Sequence, residues 1–184
     1  MIYPIYIYGS PILRTEAAEV EENYPGLEAL AADMFETMYA SEGVGLAAPQ
    51  IGKSLRMFVV DASPFAKADP AAAGFKRVFV NPEIYEESEE EVVLNEGCLS
   101  LPGIHEDVTR PVAIRIRWRD EKFEEHDEEL TGWPARIVQH EFDHVEGTVF
   151  TDRLGALRRT LLRNKLTAMS KGKYTADYRT KLVR

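Results

Sequence analysis

Pro134-Ala135-Arg136-Ile137-Val138-Gln139-His140-Glu141-Phe142-Asp143-His144-Val145 is the stretch on which the fold turns. Thr131 is placed to cap a helix, Pro134 suits its first turn, and Gly147 stands just past its end, so the spacing predicts a helix over about 134–145. His140 and His144 then share one helix face, one turn apart, close enough for both imidazoles to hold one metal ion. Upstream, Val112 to Trp118 alternates apolar and basic residues, and Asp120-Glu121 reads as a turn into a polar partner strand near Phe123 to Leu130. Further strands are expected at Ile2 to Tyr8, Arg56 to Asp61 and Phe75 to Ile84, with another containing Val92 and Val93. A helix is expected at Leu27 to Ala40, where apolar residues recur at helical spacing before Gly43. A third is expected at about Leu154 to Ser170, with Leu157, Leu161, Leu162, Leu166 and Met169 as its apolar stripe. The stretch 63–74 reads as a surface loop and Glu86 to Glu91 as a solvated acidic edge. Strands and helices that do not alternate regularly point to an α+β fold: mostly antiparallel strands around a central metal-binding helix, with a C-terminal helix after it.

With 184 residues, no internal repeat and no linker rich in Gly, Ser or Pro, a single domain over 1–184 is expected, with 155–184 as its C-terminal helix and basic tail. The 45% hydrophobic and 29% charged fractions are those of a globular protein. One cysteine excludes an internal disulfide. No run of apolar residues is long enough to span a bilayer and the N-terminus lacks a basic leader, so a cytoplasmic location is expected. The net charge of -9 argues against general nucleic-acid binding, but it is unevenly spread. Residues 153–184 carry ten Lys and Arg against Asp177 alone, a segment able to seek a polyanion.

Glu141 lies beside the paired histidines and is suited to take a proton from a water molecule and pass it to a leaving amine. Two histidines leave a catalytic site one protein ligand short. Neither common downstream donor is present, since Phe150 stands three residues past Gly147 and no Glu follows Glu146. The remaining candidate is Cys98, in Glu96-Gly97-Cys98-Leu99-Ser100, and a thiolate with two imidazoles suits zinc or ferrous iron. A nucleophilic cysteine is the rival use of the same residue, but it leaves the histidine pair and Glu141 without a joint explanation. Gly43 to Gly52 contains Gly-x-Gly-x-x-Ala, yet a helix precedes it and Pro49 with Gly52 blocks one after it, so it is no dinucleotide fingerprint. It reads instead as a loop that exposes backbone to an extended peptide, with Gln50 offering an amide donor.

Taken together, GVGLAAPQIG (43–52), EGCLSLPG (96–103) and QHEFDHVEG (139–147) resemble the three motifs of the peptide deformylases in order and wording. The likeness runs from Pro11-Ile12-Leu13-Arg14 to about Leu154. It implies removal of the formyl group from the N-terminal formylmethionine of nascent chains, with release of formate. It also implies Cys98, His140 and His144 as ligands of one divalent metal, iron in the cell, with zinc, nickel or cobalt accepted by the same donors. Glu141 would be general base and acid, and Gln50, with the Leu99 backbone N–H, would donate to the developing oxyanion. Val44 and Gly45 would pair with the substrate backbone, and Val44, Ile137 and His140 would flank the methionine pocket, whose rim carries an unusual Trp133-Pro134. Glu96 and Arg110 would form a salt bridge that positions the cysteine segment. Two alternatives are an HExxH-type peptidase and a non-catalytic binder of formylated N-termini. In the tail, Leu157, Leu161 and Leu162 would dock the helix while Arg158, Arg159, Arg163 and Lys165 face outward, toward ribosomal RNA as a partner.

Overall fold

The computed structural model describes all residues, Met1–Arg184. Its elements in chain order are β1 (Ile5–Tyr6), α1 (Leu27–Ala40), β2 (Gly45–Ala47), β3 (Met57–Asp61), β4 (Lys76–Glu87), β5 (Glu91–Cys98), β6 (Leu101–Pro111), β7 (Ala113–Arg119), β8 (Glu125–Thr131), α2 (Gly132–Val145), α3 (Ala156–Ser170) and β9 (Thr180–Lys181). Five strands form an antiparallel sheet in the order β2-β3-β4-β7-β8. Strands β5 and β6 pair as a separate hairpin, and β1 pairs in parallel with β9, which brings the two ends of the chain together.

The large sheet is covered on both faces near β3, which is why Met57-Phe58-Val59-Val60 is a continuous apolar run and not an alternating one. Met57 and Val59 face one core with Met34 and Met38 of α1. Phe58 and Val60 face the other with Ala135, Ile137 and Val138 of α2. Helix α2 is thus central, and eleven of its fourteen residues are buried, six of them polar or charged. Burying that much polarity is costly unless each group is partnered, so the surroundings of α2 must supply counter-charges. No helix is long and apolar enough to cross a membrane.

Three expectations are corrected and one strand is added. The stretch Ile2 to Tyr8 contributes only the two residues of β1 as strand. Strand β6 went unforeseen because its buried face runs Ile104, Glu106, Val108, Arg110, and two charges among the inward positions break the alternation. The Thr131 side chain makes no capping bond; Asp69 Oδ2 instead accepts the Trp133 N–H at 2.7 Å. In α3, Leu157 and Leu161 are 73% and 61% exposed, and Leu162 and Met169 are its buried residues. The helix is fastened partly by polar contacts: Arg158 binds Glu106 in bidentate fashion and Lys165 Nζ donates to the Gly103 carbonyl at 2.8 Å. Two of the four basic residues expected to face solvent, though exposed, are thus tied to the body.

Candidate active site

Helix α2 carries His140, Glu141 and His144, while Cys98 ends β5 and is brought against the helix by the β5–β6 hairpin. The Cys98, His140 and His144 donor atoms all lie within 4.8 Å of one another, with Cys98 Sγ 3.3 Å from His144 Nε2. Around them opens a cleft of about 810 Å³.

Of the two imidazoles, His140 is held from behind, while His144 Nδ1 is buried without a hydrogen-bond partner. His140 Nδ1–H donates to Glu96 Oε1 at 2.8 Å, so Nε2 is the atom turned toward Cys98 and His144. Glu96 also accepts Arg110 Nε at 2.7 Å, Arg110 Nη2 at 2.9 Å and Arg136 Nη1 at 2.7 Å. Arg110 reaches on to Asp143, which Arg153 grips with two further bonds. Burial alone would raise Glu96, but hydrogen bonds from His140 and Arg110 and the charge of Arg110 hold it far below the carboxylate range. The salt bridge between Glu96 and Arg110 is present, and it orients a histidine as well as the cysteine segment.

Gln50 is aimed in the same way. Its Oε1 accepts the Ala47 N–H at 2.9 Å, which leaves Nε2 to point at Ser100 Oγ (3.1 Å) and Cys98 Sγ (3.6 Å). Glu141 is 4% exposed, and its Oε2 has no hydrogen-bond partner. Burial pushes this carboxyl up to about 7. Gly45 in β2 lies so close that a Cβ there would sit 2.4 Å from Glu141 Oε1, so only glycine leaves the carboxylate its place. Burial works against a charge on His140, yet hydrogen bonds to Cys98 and Glu96 hold its pKa well above the ordinary value. Burial and that same charge push His144 well below. A thiol and two imidazoles turned inward, one imidazole anchored from behind by a carboxylate, match the donor set and support of a transition-metal site.

Val44, Gly45, Leu99 and Ile137 all line the cleft, as does Trp133. The sequence reading missed several contributors. The surface loop 63–74 supplies Phe65, which stacks on Trp133 with ring centroids 4.1 Å apart and also lines the cleft. Arg136 lies one turn before His140 and Asp143 lies inside the quoted motif, so both were visible in the sequence, but their partners are remote in it. Tyr178 carried no signal.

The family model described as polypeptide deformylase matches residues 2–160. A peptide deformylase of Cytophaga hutchinsonii is 48% identical over 181 residues, 98% of this chain and 97% of the relative. One of Christiangramia forsetii is 46% identical over 186 residues, 97% and 95% of the two chains. Among solved structures, the peptide deformylase from Thermus thermophilus is 41% identical with a TM-score of 0.82, covering 94% of this chain and 99% of its own. One from Legionella pneumophila is 36% identical with a TM-score of 0.79, covering 95% and 100%.

Proposed function

Because this chain belongs to the peptide deformylase family, we propose for its residues the division of labour that the cleft supports in hydrolysis of an N-formyl amide. Membership removes the peptidase and the non-catalytic binder from consideration. The observation that carries the assignment is Glu141 Oε2, buried and unpartnered beside the Cys98, His140 and His144 cluster.

Cys98 Sγ and the Nε2 atoms of His140 and His144 would hold the ion. A divalent metal held there would supply Lewis acidity, making water in the cleft easier to deprotonate. Glu141 accepts a proton from the attacking water and delivers it to the departing amine nitrogen, so one carboxylate serves as base and then as acid. As the formyl oxygen gains charge, the Gln50 amide and the Leu99 N–H donate to it, and each such donor commonly contributes a factor of about 10² to 10³. Gln50 enters the step already oriented, because its oxygen is committed to Ala47. Val44 and Gly45 lie along the edge of β2 opposite β3, where an extended substrate backbone can pair. Ile137, Val44 and the Phe65–Trp133 stack give the methionine side chain an apolar wall. The whole chain acts as one catalytic unit, since α2 packs on the sheet while β5 and β6 deliver Cys98 and Leu99.

A thiolate donor favours ferrous iron, with zinc, nickel and cobalt as substitutes. Activity of the iron form should then decay in air while a nickel form persists, and equal stability of the two would refute iron oxidation as the liability. A substrate that exists only on nascent chains supports a cytoplasmic location and a role beside the ribosome. Arg159 and Arg163, both exposed and next to the exposed Leu157 and Leu161, are the ribosome-facing residues. Arg159→Glu with Arg163→Glu should weaken ribosome binding and leave hydrolysis of a short formyl peptide unchanged; unaltered binding at low salt would refute that contact.

The central test is Glu141→Gln. Formate release from a formyl-methionyl peptide should fall by at least about 10² to 10⁴ with metal content and fold retained. Near-normal turnover would remove Glu141 from the chemistry.

A further inference from the structure

The segment after α3 returns across the cleft. Thr175, Ala176, Asp177 and Tyr178 line the same cavity as Gln50, Cys98 and Glu141. The segment is tied down along its length. Ile5 N–H donates to the Arg179 carbonyl at 2.8 Å and Ile7 N–H to the Lys181 carbonyl at 2.9 Å. The Tyr174 and Thr180 hydroxyls bond at 2.9 Å, and Val183 N–H donates to Ser10 Oγ at 3.1 Å.

Tyr178 is partly buried, and its hydroxyl donates to the Leu99 carbonyl at 2.6 Å. Leu99 sits in the turn between β5 and β6, directly after Cys98. The next residue, Ser100, accepts the Gln50 amide through Oγ at 3.1 Å, and its carbonyl accepts the Tyr8 N–H at 2.9 Å. The turn is therefore gripped at two successive carbonyls by the two ends of the chain. Burial pushes the Tyr178 phenol up to about 12, so it stays a donor throughout the neutral range.

We propose that Tyr178 is a positioning residue for the hydrolysis: by holding the Leu99 carbonyl it fixes the turn that presents the Leu99 N–H and the Gln50 amide to the substrate oxygen. The proposal rests on the oxyanion roles assigned above. Each residue of a turn keeps two soft backbone dihedrals, and donors are effective only within a narrow geometry, so loosening one anchor acts on the transition state more than on binding. Tyr178 would then affect kcat and leave KM and metal binding alone.

Tyr178→Phe keeps the ring and deletes the hydrogen bond, and Tyr174→Phe deletes a bond within the same segment that does not reach the turn. With metal-loaded full-length protein and a formyl-methionyl peptide, Tyr178→Phe should lower kcat by about tenfold with KM and metal stoichiometry at wild-type values, the effect of one lost hydrogen bond. Tyr174→Phe should turn over like the wild type. An unchanged kcat in Tyr178→Phe, a change confined to KM, loss of metal, or an equal fall in both variants would overturn the proposal. Failure of the underlying catalytic reading is separately visible, because the wild type would then release no formate or Gln50→Ala would leave kcat intact.

Discussion

Gly45→Ala should abolish most activity without unfolding the protein. A Cβ at this position would lie 2.4 Å from Glu141 Oε1 and 2.8 Å from its Cδ and Cγ, where ordinary contact begins at 3.4 Å. The carboxylate must therefore retreat by about 1 Å, and a displacement of that size at a reacting group costs on the order of 10²-fold in rate. The retreat is a side-chain rotation, with a cost of about 1 kcal/mol for an off-rotamer angle. Alanine returns about 0.4 to 1 kcal/mol by restricting the unfolded chain, because Gly45 does not need a positive φ. The two nearly cancel, so Tm should stay within about 4 °C of wild type. Turnover is followed as formate released from a formyl-methionyl peptide, with metal content measured on the same sample. Gly155→Ala, where a Cβ meets nothing within 4 Å, serves as the control. Turnover of Gly45→Ala within threefold of wild type, metal being equal, would refute the placement of Glu141 against β2.

Glu96→Gln removes the carboxylate on which Arg110, Arg136 and His140 converge; breaking a buried ionic pair costs about 3 to 5 kcal/mol, so Tm should fall by about 6 to 20 °C. Metal affinity should drop by about 10- to 100-fold because the uncharged amide has a single acceptor oxygen for which His140 must compete with Arg110 and Arg136, and a variant that melts and binds metal like wild type would show the network to be incidental. Cys98→Ala should lose most bound metal under conditions where its far-ultraviolet circular dichroism is unchanged; full stoichiometry would make the thiol structural. Burial works to raise the Asp61 pKa, but hydrogen bonds from Ser63 and Tyr39 hold it low, a contribution present above the unfolded pKa and lost as pH falls through the folded one. Tyr39→Phe should raise the Asp61 pKa in a carboxyl-carbon NMR titration, so that acid begins to remove this contribution at higher pH. No upward movement would assign the depression to Ser63 and Lys76.

Local signals made α2 and its neighbours legible. The helix over Leu27–Ala40 was readable to the residue because its apolar spacing and Gly43 agree. The strand at Ala113–Arg119 was readable because one face meets the core and the other meets water, and Glu125–Thr131 because the turn at Asp120-Glu121 folds a polar partner back onto it. His140, Glu141, His144 and Cys98 were legible because their chemistry survives in one dimension as residue type and spacing. Apart from the Glu96–Arg110 pair, which the family resemblance implied, tertiary structure decided what holds them. Glu96 meets His140 across forty-four residues, Asp69 meets the start of α2 across sixty-four, and Tyr178 meets Leu99 across seventy-nine. Such contacts have no periodicity, and their partners are ordinary surface residue types until the fold buries them. The same physics misdirected the reading of α3. Leu157 and Leu161 carry an apolar signal equal to that of Leu162, but an apolar residue is buried only where the fold supplies a surface to cover it, and β6 met the helix with Glu106 and the Gly103 carbonyl instead.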